Sequence, residues 1–189
     1  MKFMLNFLFR LFLTFNSTSL LIVVFGIQGQ YIIEWERINH HLTNMPDWLS
    51  YIIYFSIPII LTLISLWWSN LLDSDSLEKT NGKSKITDIE QANNAFLPSY
   101  LGYFFVALSI TRSETLWFIF AILFLFTFFS QTLYFNPLFL LIGFHFYYLT
   151  TTNKTKIFLI TRKSLKNPDN IDLPRLKRIN NFTFIDKTH

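Results

Sequence analysis

The first residues that suggest chemistry are His40 and His41, since imidazole is the commonest metal ligand. Being adjacent, their rings would diverge by roughly 100° on a helix and would not share an ion. His145, in "GFHFYY", stands alone in an apolar run. A lone histidine there reads as a satisfied interfacial side chain before it reads as a ligand. There is no HExxH helix, no nucleophile elbow and no Walker loop. With no cysteine, thiolate nucleophiles, thiolate metal sites and disulfides are out. An enzyme working inside a membrane would show carboxylates in its spans, where they are costly and rarely accidental. No Asp or Glu lies in any long apolar run of this chain. The expectation is a non-enzyme with no cofactor and no metal. Three Asn-x-Ser/Thr matches, at Asn16, Asn153 and Asn181, fall within a span or on the expected cytoplasmic side, so glycosylation is not expected.

What remains inside the apolar runs is uncharged. Asn16 and Ser17 belong to a polar knot "NSTS", and Thr62 sits with Ser56 and Ser65 in a second run. Such groups hydrogen-bond between helices, or they line a wet path in an oligomer; packing is the simpler role because it needs no special geometry. Pro58 removes one backbone bond from its run and marks a kink, as does Pro137 after Asn136.

These residues need elements to hold them, and the composition says which. Of the residues 51% are hydrophobic and 15% charged, against about 25% charged in a soluble domain. The fold class expected is an all-α integral membrane protein with four transmembrane helices over about 11–27, 48–68, 96–110 and 115–135. The last carries a kinked extension to 149. Trp48 opens the second span and Trp67 with Trp68 closes it, as interfacial aromatic belts require. The first lacks a small-x-small cleavage site and reads as an uncleaved span rather than a signal. Four spans place fourteen of the sixteen cations on the inner side, leaving only Arg37 and Arg112 outside. The positive-inside rule therefore puts both termini in the cytoplasm. Residues 1–149 form the membrane domain and 150–189 a basic cytosolic tail.

Three segments lie outside the spans. In the outer one Tyr31, Trp35, Ile38 and Leu42 fall at steps of four, three and four, one stripe of an amphipathic helix that would lie on the headgroups. It is a plain connector or a sensing surface. The inner loop, 73–94, is a polar linker with a short helix from Ile86, and its excess of acids could face the basic tail. The tail holds "KIFLITR" and "INNFTFID", one or two strand-like segments. Two strands alone are marginal in water. Their covering surface would be the inner loop, another subunit or a separate protein. Arg162, Lys163, Arg175, Lys177, Arg178, Phe182 and Phe184 combine steering charge with apolar anchors, the composition of a partner-docking peptide. The bland rival is a basic segment on anionic lipid.

The segment "IEQANNAFLPSYLGYFFVALSI" and the tail "KIFLITRKSLKNP" with "LPRLKRINNFTFID" resemble the KwaA family, the membrane component of the Kiwa antiphage defence system. The resemblance implies a bacterial inner-membrane sensor of envelope disturbance, homo-oligomeric and expected as a tetramer. It also implies a cytosolic partner protein resembling KwaB that engages DNA, and no direct nucleic-acid binding by this chain. The alternative function is an oligomeric channel that depolarises the cell.

Overall fold

The computed structural model describes residues 2–38, 45–79, 82–95, 97–130 and 136–188. Helix α1 (Lys2–Gln28) is the hub of the helical half and packs against α3 (Trp48–Trp68), α4 (Leu97–Ser109) and α5 (Ser113–Ser130). Leu21 and Phe25 of α1 meet Ala107 of α4 and Leu116 and Phe120 of α5 in one buried cluster. Outward faces carry exposed Phe118, Phe126 and Phe129 on α5 and Ile52, Ile60 and Leu63 on α3. Apolar surface of that extent suits lipid as solvent. Three helices, α1, α3 and α5, are long and apolar enough to cross a membrane. The third expected span is the shorter one: the 13 residues of α4 rise only ~20 Å.

Helix α1 ends because Gln30 turns left-handed, at φ 53°, with Tyr31 N–H reaching back to the Gly26 carbonyl at 3.0 Å. The chain then runs extended, and Ile33 N–H donates to the buried Ser50 hydroxyl of α3 at 3.1 Å. Among the described residues helix α2 covers Trp35–Ile38. Tyr31 lies before it with its ring against Phe25 at 5.9 Å, so the expected stripe is not one helical face. Leu42, His40 and His41 lie outside the described residues.

The other half is a sheet, and here the all-α expectation fails. Six strands are ordered β1-β5-β6-β4-β3-β2. They are β1 (Ser74–Leu77), β2 (Ile86–Gln91), β3 (His145–Thr151), β4 (Lys156–Thr161), β5 (Leu173–Arg178) and β6 (Thr183–Asp186). The β4–β6 pair is parallel and the others antiparallel. The molecule mixes α and β. The inner loop is no linker: its halves form the two edge strands, and the short helix expected at Ile86 is β2. The loop thus flanks the tail strands at both edges, and the helices cover one of their faces.

The helical extension expected to residue 149 also gives way. After Pro137 only α6 (Leu138–Leu141) is helical. Gly143, at φ 83°, closes it in a Schellman motif: Phe144 N–H donates to Phe139 O at 2.9 Å and Gly143 N–H to Leu140 O at 3.0 Å. The Phe139 and Phe144 rings meet edge-on at 5.8 Å, the apolar contact that accompanies such caps. The left-handed turn suits glycine, and β3 starts directly after it.

Alternation along the strands builds two cores. Phe146, Phe158, Ile160 and Ile185 point to the helices, joining Phe9 and Leu13 of α1, Leu66 of α3, and Leu138 and Phe139. Tyr147, Leu149, Leu159, Leu176 and Phe184 point the other way, under the crossing segment that carries Leu165 and Ile171.

Candidate functional site

The residues that join the two halves are polar and buried. Serines and threonines of the α1 knot first satisfy themselves: Ser17 Oγ donates to Thr14 O at 2.9 Å, and Ser19 Oγ to Asn16 O at 2.7 Å. Such back-bonding lets hydroxyls sit in an apolar helix. The Asn16 amide is too long for that and reaches across. Its bonds are complete when its nitrogen donates to Pro58 O at 3.1 Å, while its oxygen accepts from Asn136 Nδ2 at 2.9 Å and Thr62 Oγ1 at 2.8 Å. Thr62 Oγ1 also lies 2.8 Å from Pro58 O and 3.2 Å from Asn136 Nδ2. Asn136 Oδ1 accepts the Leu138 N–H at 3.0 Å, which starts α6.

One cluster thus ties α1, α3 and the segment leading into the sheet, with Asn16 and Thr62 0% exposed and Asn136 1%. A buried network of this kind has value only if every member is satisfied. Within this single chain Asn16 and Thr62 face each other rather than an open path. Helix α3 continues through Pro58, whose carbonyl becomes the acceptor at the cluster's centre. Tyr100 adds α4 to the junction through its hydroxyl, 3.3 Å from Ser17 O. Asn93 performs the same service at the sheet's edge: Oδ1 accepts from Phe146 N–H at 2.8 Å and Nδ2 meets His145 Nδ1 at 3.2 Å. His145 is thereby held by an amide. Among the described residues no group of three or more His, Cys, Asp or Glu side chains could hold a metal.

The tail residues expected to dock a partner do not form one set. Phe184 is 6% exposed, inside the far core. It is not an available anchor, because alternation turns it inward. Lys177 Nζ donates to Leu72 O and Ser74 Oγ, both at 3.0 Å. Arg178 pairs with Asp75, and Lys163 with buried Asp186 at 3.3 Å. Lys156, similarly, pairs with Glu90 of the inner loop at 2.9 Å; its pKa is raised, chiefly by that hydrogen bond. Phe182 is 55% exposed and Arg175 is exposed. Arg162 lies over the Phe144 ring at 4.7 Å.

A groove of about 510 Å³ opens between α1, α3 and α5, lined by Phe15, Ile22, Tyr54, Pro58 and Trp117 among others, almost wholly apolar. Asn93, Tyr100 and Asn136 are the contributors that sequence reasoning did not single out. Asn136 carried a signal, an amide beside a proline in an otherwise apolar run.

A model of the family described as anti-phage protein KwaA matches residues 9–185. The chain belongs to the KwaA family. That match spans α1 through β6, so both halves and the junction between them lie within the family's extent. A role in antiphage defence follows. No curated protein and no solved structure matches the chain.

Proposed function

We propose that the chain is the oligomeric membrane sensor and scaffold of an antiphage system. In this reading it sits in the bacterial inner membrane with both termini in the cytoplasm. Disturbance of the envelope changes how α1 and α3 pack, and the sheet carries that change to a soluble, DNA-engaging partner resembling KwaB. The observation that supports it is the Asn16–Thr62–Asn136 cluster, which links two long helices to the entry of β3. Helix and sheet also share one apolar core, so a shift in one has to be accommodated by the other. The channel alternative needs Asn16 and Thr62 toward water, whereas their 0% exposure inside one chain favours packing.

The docking candidates in this proposal are the exposed residues at the two ends of the β5–β6 pair, Phe182 and Arg175, since Phe184 is occupied by its own core. Truncation of the tail would remove central strands, so point changes give the cleaner test. Full chain and a Phe182→Ala/Arg175→Ala variant are tagged, purified in detergent from the native host and compared for co-purifying proteins. A soluble protein held by the wild type and lost by the variant, at equal membrane levels, supports the scaffold. Its retention by both counts against this dock.

A further inference from the structure

The apolar surface of the helical half is not equally tall on every side. Helix α3 keeps exposed apolar side chains from Trp48 to Trp67. Its 21 residues rise ~31 Å, which matches a hydrocarbon core of about 30 Å. Helix α4 has 13 residues and rises ~20 Å. Its exposed Leu97, Leu101, Phe105 and Leu108 fall at steps of four, four and three, one stripe that begins at its first residue. Leucine and phenylalanine make this a lipid face, since seams between membrane helices favour small side chains. Beyond Leu97 the chain turns polar at once: Asn94, and Glu90 and Gln91 of edge strand β2, are exposed.

The missing length lies at the sheet end of α4. At the other end Ala107 and Ile110 pack with Leu21 and Phe25 of α1 and Leu116 of α5. Toward the sheet the Tyr100 hydroxyl reaches Ser17 O at 3.3 Å, and only three residues of helix precede Tyr100. Helix α3 passes this level at Thr62, which meets Asn16. It runs on to Trp68, whose ring meets Phe9 at 6.0 Å and Phe12 at 5.4 Å. Sliding does not make up the difference, because residues 92–96 join β2 to α4 and begin bonded to β3. Ala92 N–H donates to Phe146 O, and Asn93 Oδ1 accepts from Phe146 N–H, both at 2.8 Å. Tilting would only shorten the reach of α4.

We infer that the sheet-side leaflet is drawn toward the bilayer centre along α4, so that headgroups and water reach Leu97 at a depth where α3 is still among acyl chains. A bilayer accommodates a short apolar segment by thinning beside it. The inference rests on the long helices being membrane spans, and it is independent of any soluble partner.

The chain has no cysteine, so single cysteines report water access directly. Leu97→Cys and Ile64→Cys are made in the full chain. Both positions are exposed and share one depth: Ile64 stands two residues past Thr62, and Leu97 three before Tyr100. Asn94→Cys and Ile60→Cys, the latter nearer the middle of α3, bracket them. Each variant is reconstituted in phosphatidylcholine vesicles with a charged, membrane-impermeant maleimide on both sides, and its labelling rate is divided by that in SDS. Leu97→Cys reacts about tenfold faster than Ile64→Cys and approaches Asn94→Cys, because acyl chains exclude the reagent from α3. Equal slow rates at Leu97 and Ile64 would overturn the inference, since acyl chains would then cover both. Equal fast rates would overturn it too, because the bilayer would be thin on every side. Slow labelling of Leu97→Cys that rises on dilution in detergent would put a second copy on the stripe and refute it as well. These three results leave the membrane reading standing, whereas fast labelling of Ile60→Cys would remove that reading and the inference with it.

Discussion

Replacing Asn136 by alanine tests the junction where it is most exposed to failure. The side chain does two jobs at once. Its oxygen accepts the Leu138 N–H that opens α6, and its nitrogen donates to Asn16 on α1. Loss of a side-chain cap costs about 1 kcal/mol, within a range of roughly 0.5–2. Loss of an interhelical hydrogen bond in a membrane bundle averages about 0.6 kcal/mol, with a maximum near 1.7. The two together predict a destabilisation of about 1.6 kcal/mol, more if the buried Leu138 N–H finds no substitute. The assay is denaturant unfolding of the detergent-solubilised chain, followed by far-UV circular dichroism. A double-mutant cycle with Asn16→Ala isolates the shared bond, with a coupling of about 0.6–1.7 kcal/mol expected. Coupling indistinguishable from zero would mean that the amides are neighbours without being partners, and the proposed route from helices to sheet would lose its support. A second readout is protection of cells from phage: if the junction relays a signal, protection falls further than membrane abundance does.

Phe184→Ala leaves a cavity in the far core and costs about 3–5 kcal/mol, read as loss of protein from the membrane fraction, whereas exposed Phe182→Ala leaves abundance unchanged. Arg178→Ala removes a partly exposed ion pair and changes stability by less than about 1 kcal/mol, checked by the same unfolding assay. For Lys187 the folded pKa lies below the ordinary 10.5, so the unfolded chain binds this proton more tightly. Its charge therefore costs stability at neutral pH, and that cost is relieved as pH climbs through the folded value toward 10.5. The thermal midpoint of the wild type should gain on that of Lys187→Met over this window, and a parallel pair of curves would contradict the assignment. A reporter fused after Lys163 should be active only in the cytoplasm; activity on the outer side would reverse the orientation.

The long helices were legible because helices apolar on every face announce themselves by length and apolarity without periodicity, and α3 matches its expected Trp48–Trp68 bounds. "KIFLITR" and "FTFID" were legible as strands from their branched and aromatic content. Strand β3 was not. Its residues are buried on both faces, so "HFYYLTT" lacks alternation and continues the hydropathy of the helix before it. Strands β1 and β2 hid for the opposite reason: as edges with exposed side chains, "SDSL" and "ITDIEQ" read as linker. Strand β5 carries Pro174, which argues against a strand interior. It is tolerated where the register against β1 shifts between Asp75 and Leu77. In the site, the type of Asn16 and Thr62 announced a helix contact, but nothing local revealed that Asn136, seventy-four residues beyond Thr62, would complete it.

The strand order has a consequence for assembly. Strand β6 follows all five others along the chain yet lies between β5 and β4, joined to β4 in parallel. Until it arrives, β1 with β5 and β2 with β3 and β4 are two separate ribbons carrying unpaired edges. The helices leave the ribosome before most of the sheet, and the sheet closes late: β6, which joins the ribbons, is the last strand made, and the β1–β5 ribbon itself needs a pairing distant in sequence, Asp75 with Leu176, that forms slowly. A nascent chain stalled before Thr183 would carry two open edges beside the helical bundle, the state most prone to pairing with the wrong chain.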